Sequence, residues 1–115
     1  MKTGRESALL AQIRNECETG LSFVEGTDRE NFLSDQLIQH AVAMSLVAIG
    51  EYVAKLVQSS PEYARVHPEI PWGSVIGMRN RIAHGYYGLD FEVVWDTVRE
   101  SIPDLLAKLP QEPAV

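Results

Sequence analysis

The feature that most constrains this chain is a long run of helical periodicity over residues 27–58. Phe32, Leu37, Ile38, Ala41, Val42, Met44, Val47, Ala48, Ile49, Tyr52, Val53 and Leu56 recur there at three- and four-residue spacing. Thr27 is placed to cap this helix, and Glu30 three residues on completes a capping box. A bend is expected near Asp35. The apolar residues cover more than one face of the helix. Such a helix belongs at the centre of a helical fold or in a subunit interface.

The remaining segments read as its packing partners. A first helix is predicted from residue 4 to residues 22–25, with Leu9, Leu10, Ile13, Cys17 and Leu21 along one side and Gly26 as its stop. Ser59-Ser60-Pro61 ends the long second helix, and residues 62–71 form a proline-bearing loop with room for one helical turn. A third helix starts at Pro71 or Trp72 and reaches His84 or Gly85. After a turn at Gly85 and Gly88, Asp90 caps a fourth helix. Its buried stripe is Phe91, Val94, Trp95, Val98, Ile102 and Leu105-Leu106, with a kink expected at Pro103. No stretch alternates apolar and polar residues over a strand's length. The expected fold is all-α, an antiparallel four-helix bundle with a long central second helix. It forms one domain over residues 1–109, followed by a flexible C-terminal tail, 110–115.

Composition narrows the function classes. The 115 residues suit one domain able to bury a core without staples, and the single cysteine excludes an intrachain disulfide or a cysteine zinc cluster. The three histidines lack ligand spacing, so no metal and no cofactor is expected. The segment at residues 1–10 does not read as a signal peptide, and the longest apolar stretch, residues 41–49, is short for a membrane span. A cytoplasmic protein is expected. The net charge of −6 opposes adventitious nucleic-acid binding. Residues 61–90 are locally neutral, and Arg79 and Arg81 lie there close to His84. An anion site is expected in that stretch.

Gly77-Met78-Arg79-Asn80-Arg81-Ile82-Ala83-His84-Gly85-Tyr86-Tyr87 gathers the polar chemistry at one end of an apolar helix. Asn80 and His84 are four apart and share a face, with Gly73 and Gly77 on the same side. Arg79 and His84 are five apart, roughly 140° around a regular helix. Either the helix ends before His84, or two copies of the segment meet across a two-fold axis. The residue types suit phosphodiester cleavage in RNA. Histidine moves a proton near neutral pH, and arginine steadies charge at phosphorus. The bland reading is that Arg79 pairs with Glu51 or Asp90 and that His84 is a helix-terminal residue favoured by the dipole.

These motifs resemble the HepT-like branch of the HEPN domains, the toxin half of bacterial and archaeal toxin–antitoxin pairs. The resemblance runs through Ile49-Gly50-Glu51, Ile70-Pro71-Trp72, Gly77-Met78-Arg79-Asn80, His84-Gly85-Tyr86 and Asp90 to Val94-Trp95, over roughly residues 27–109. The family's Arg–x4–His–x–Tyr motif is met by Arg79, His84 and Tyr86 without departure. The resemblance implies a homodimer of HEPN type with two motifs in one cleft. It implies ribonuclease activity with Arg79 and His84 as essential, catalytic residues; no acidic metal cage lies near them in the sequence, so a metal-independent mechanism is expected. It also implies an MntA-type minimal nucleotidyltransferase antitoxin that transfers AMP onto the motif tyrosine, here Tyr86.

Asn80, Arg81 and Glu51 are read as supporting residues, Glu51 chiefly as an ion-pair partner for Arg79 or Arg81. Tyr86 is expected as an exposed phenol, with Tyr87 as a second phenol beside it. Trp72 and Trp95 are read as core or interface aromatics, His40 as a satisfied histidine and His67 as solvated. The acidic remainder suggests a narrow RNA target such as a tRNA. The alternative function is a non-catalytic dimeric module that partners the transferase.

Overall fold

The computed structural model describes residues 4–110. Among them every regular element is helical. Helix α1 spans Gly4–Phe23, and Gly26, at φ +75°, turns the chain out of it. A short α2 covers Arg29–Ser34, and the long α3 covers Gln36–Ser59. The expected second helix is therefore divided. Asp35 is extended at the break, at φ −116° and ψ 98°, and its side chain accepts from Ile38 N at 3.2 Å to cap α3. The buried Gln39 clamps the joint by donating to Phe32 O at 3.0 Å. The cap of α2 also differs from expectation. Asp28 takes that place, accepting from Asn31 N at 2.8 Å, while Thr27 stays in the preceding turn with its N–H on Val24 O. A carboxylate caps at least as well as a hydroxyl, and here it lies one residue closer to the helix.

The expected loop after α3 contains helix α4, Pro61–Val66, then α5 runs Trp72–Gly85. Trp72 Nε1 donates to Ala64 O and His67 O, tying the start of α5 to the end of α4. A 3-10 turn, Tyr86–Gly88, leads to α6, Phe91–Asp96, capped by Asp90. The expected fourth helix continues through a π turn, Thr97–Ser101, into α7, Ile102–Lys108. The irregularity expected at Pro103 is that π turn. Ile102 N–H donates to Thr97 O, five residues back, immediately before the residue that has no N–H to give. The four expected helices are thus more segmented than a plain four-helix bundle.

Helix α3 lies between α1 and α5. Val42, Leu46, Ile49, Val53 and Leu56 of α3 join Ile13 and Cys17 of α1 and Val94, Val98 and Leu105 of the last helices in one core. Burial pushes the Cys17 thiol up to about 12. Arg14 of α1 donates to Leu109 O and Pro110 O, fastening the end of α7. Of the expected tail, residues 111–115 lie outside the described residues. By length and composition α3 could cross a membrane; in this fold part of its apolar surface packs on α1 and α5, while Leu37 and Met44 stay exposed.

Helices α3 and α5 pack tightly at Gly50. A Cβ on Gly50 would overlap Arg79 Cβ and lie 2.8 Å from Arg79 Cγ. Gly50→Ala should therefore cost about 1–3 kcal/mol, as overpacking of a tight interior does. Urea unfolding should show a lower midpoint with an unchanged slope.

Candidate functional site

At about 100° per residue, Val75, Arg79, Ile82 and Tyr86 form one stripe along α5. That stripe meets α3: Val75 O and the Arg79 stem lie over Gly50, and Ile82 is 4% exposed. Arg79 cannot leave this face, so its stem runs along α3 and its head group emerges at the edge. There Nη1 lies 3.0 Å from Glu51 Oε1. Of the two partners open in the sequence, the structure selects Glu51, and Asp90 instead accepts from Glu92 N as the α6 cap. Arg79 Nε is buried and has no hydrogen-bond partner among the described residues.

His84 is exposed and still within α5, which continues to Gly85. The helix does not end early to re-aim it. Arg79 and His84 of one chain therefore remain roughly 140° apart around the axis. Asn80 is exposed on the His84 side, and a Cβ on Gly73 or Gly77 would meet nothing within 4 Å. Arg81 points elsewhere, to an apolar cavity of about 360 Å³ between α5 and the last helices, lined also by Met78, Val93 and Leu105. The structure brings Arg79 to Glu51 and sets Asn80 and His84 on one open face, but it does not unite Arg79 with His84.

Tyr86 departs from expectation. Its hydroxyl is buried without a partner among the described residues, and its ring packs beside His40, Tyr87 and Phe91 with centroids 5.1, 6.2 and 5.8 Å away. The chain leaves α5 through a non-helical Gly85, at φ −144° and ψ 33°, and the turn that follows sets Tyr86 against His40 of α3. Burial raises its phenol pKa above the ordinary value. Tyr87, one residue on, is fully exposed.

His40 is the residue the sequence undervalued. It is hydrogen-bonded to Gln36 O at 2.7 Å, as expected of a satisfied histidine, but it also lines a groove of about 360 Å³ with Met44, Val47, Tyr86 and Tyr87. Its four-residue spacing to Met44 marks a face of α3, yet nothing local links it to Tyr86. His67, expected to be solvated, pairs with Glu69 and packs on Tyr63. Trp95 is in the core, as expected, and Trp72 packs against it in part. Among the described residues no three His, Cys, Asp or Glu side chains cluster as a metal site would require.

Comparison with known proteins gives this geometry a context. The family described as Ribonuclease HepT-like matches residues 13–111. A protein of Caldanaerobacter subterraneus subsp. tengcongensis, named as a candidate RNase, is 35% identical over 91% of this chain and 89% of its own length. A protein of Thermococcus cleftensis, named as a candidate ribonuclease HepT, is 43% identical over 69% of each chain. A candidate RNase of Methanocaldococcus jannaschii is 33% identical over 85% of this chain and 82% of its own. No solved structure matches.

The buried phenol gives a stability test. An unpartnered buried hydroxyl forfeits its bonds to water, so Tyr86→Phe should raise stability by up to about 1 kcal/mol. With its folded pKa raised, Tyr86 contributes stability that is complete below pH 10 and is lost as pH climbs through the folded value. The alkaline fall in thermal midpoint should therefore be shallower in Tyr86→Phe than in the parent.

Proposed function

The chain belongs to the HepT-like ribonuclease family, and on that premise we propose that it is a metal-independent RNA endonuclease. It acts in the cytoplasm as a homodimer whose motif helices face one cleft, with residues 1–109 as one unit of HEPN type. The observation that carries this reading is the division of labour on α5. Arg79 is fixed against α3 by Gly50 and Glu51, whereas His84 is exposed on another face, five residues along. A two-fold copy supplies the missing half: Arg79 of one chain meets His84 of the other. The open Gly73/Gly77 side of α5 leaves room for that approach.

In such a cleft, neutral His84 takes the proton of a ribose 2′-hydroxyl. The 2′-oxygen attacks the adjacent phosphorus, the bond to the 5′-oxygen breaks, and that oxygen leaves with a proton taken from water. Arg79 balances the charge that builds on the phosphoryl oxygens, its fork held in place by Glu51. Asn80 orients His84 from the same face, and Arg81, which lines the cavity beside the last helices, supports the site only through its charge. The acidic chain favours a narrow target, such as a tRNA, over bulk RNA. Unchecked cleavage would make the protein the toxin of a toxin–antitoxin pair. Its antitoxin is an MntA-type minimal nucleotidyltransferase that places AMP on Tyr86. The net charge of −6 also supports a second reading, a non-catalytic dimeric module that partners the transferase.

Arg79→Ala and His84→Ala should stay folded and dimeric and should each lose about 10²–10⁴-fold in RNA cleavage. Products should carry 2′,3′-cyclic phosphate ends, and EDTA should leave the rate unchanged. Mixing the two inactive variants should restore part of the activity, because a mixed dimer holds one intact Arg79/His84 pair in trans. Full activity in either single variant would overturn the mechanism, and mixed dimers without activity would overturn the shared cleft.

A further inference from the structure

We propose that the groove beside His40 is a nucleobase subsite, which holds a purine of the RNA substrate while Arg79 holds the adjoining phosphate. The inference rests on the ribonuclease reading and concerns how that site chooses among bases. At about 100° per residue, Leu37, His40, Met44, Val47 and Glu51 fall within roughly 80° on one face of α3. The groove and the Arg79–Glu51 pair therefore share that face. At 1.5 Å per residue, Val47 lies about 6 Å along the axis from Glu51, and His40 about 17 Å. A phosphate at Arg79 thus stands one sugar's reach from the near end of the groove. Asn80 and His84 border the same edge, because the cavity lined by Leu46, Ile49 and Met78 takes the opposite edge of the α3/α5 contact.

The lining suits a flat ring with polar edges. The groove offers about 360 Å³, within the roughly 300–1,000 Å³ usual for small-ligand sites. Met44 and Tyr87, two of its large side chains, are exposed at 67% and 105%. Exposed apolar groups gathered in one place mark a surface that is covered in use. The His40 and Tyr86 rings lie 5.1 Å apart, and Tyr87 stands edge-on to Tyr86 at 81°. A base entering there meets aromatic rings on one side and the Met44 and Val47 side chains on the other. Stacking accepts any base and rewards the larger purines. His40 supplies the choice among them. Gln36 O can only accept, so its 2.7 Å contact puts the proton on Nδ1 of the neutral ring. Nε2 is left as an acceptor, and it fits an amino or imino group on a base edge, as adenine or guanine presents. An extended peptide would instead bring backbone N–H and C=O groups that this apolar lining leaves unpaired.

The test is a titration of the full chain, carrying methyl-labelled methionine, with adenosine 5′-monophosphate and with purine riboside 5′-monophosphate, which lacks the amino group. The Met44 methyl signal should shift, and that of Met78, in the cavity on the opposite edge, should not. The adenine nucleotide should bind about 3–10-fold more tightly than its analogue, the value of one hydrogen bond. His40→Phe keeps a ring beside Tyr86 and removes the acceptor, so it should erase that difference and leave the analogue's affinity unchanged. Tyr87→Ala should weaken both nucleotides at least about fivefold. Both positions are exposed, so both variants should melt as the parent does. In RNA digests, His40→Phe should raise KM at sites flanked by adenosine and leave kcat unchanged. RNA cleavage with Met44 silent, or with Met78 moving in its place, would overturn the proposal and leave the ribonuclease reading intact. A Met44 shift without cleavage of any RNA would overturn the ribonuclease reading and leave the groove as a purine-nucleotide site. A silent Met44 together with a monomeric Met44→Glu would assign the groove to a second copy of the chain and overturn the proposal.

Discussion

The contact between Gly50 and Arg79 sets the geometry on which the rest depends. Only a residue without a side chain lets the Arg79 stem lie directly on α3. A long charged side chain buries its aliphatic part and keeps its head group near water, which the Glu51 carboxylate then fixes. Since α5 packs chiefly on α3, this one crossing determines which way each remaining side of α5 points. Asn80 and His84 face outward because Arg79 faces inward. The ion pair itself contributes little stability, because Glu51 is 49% exposed and such pairs give under about 1 kcal/mol. Its value lies in orientation.

Among the described residues, the buried side-chain atoms Arg79 Nε and Tyr86 Oη have no hydrogen-bond partner, and both lie on the α3-facing side of the motif segment. The buried Gln39, by contrast, donates to Phe32 O. Unsatisfied groups of this kind are rare in folded proteins and gather where a residue is kept for something other than stability. Both atoms belong to the Arg–x4–His–x–Tyr motif.

Much of this was legible in the sequence, for identifiable reasons. The centrality of α3 follows from its apolar coverage, and the break at Asp35 from a capping residue inside an otherwise helical run. The Arg79–Glu51 pair was one of two options that helical phase left open. The start of α2 was misplaced by one residue because Thr27 and Asp28 are both good caps, and only the Gly26 turn decides between them. The burial of Tyr86 was missed because it depends on how the chain turns at Gly85 and how α3 lies beneath that turn, neither of which the local pattern encodes. The nearness of His40 to Tyr86 depends on how two helices cross, which no local pattern encodes.

The π turn at Thr97–Ser101 bears on the lineage of the chain as well as on its shape. A π turn is an α-helix carrying one surplus residue, so the last helix has a place where its length can change without rotating the residues beyond it. Removing one residue there would return the turn to α-helical pitch and leave Ile102 and Leu105 facing the core. The same deletion in α3 would swing every later side chain by about 100°. Pro103 guards the surplus, since in an uninterrupted α-helix its ring would press on the carbonyl of Arg99. Relatives one residue shorter in this segment are therefore expected to have lost the proline as well, the two changes travelling together.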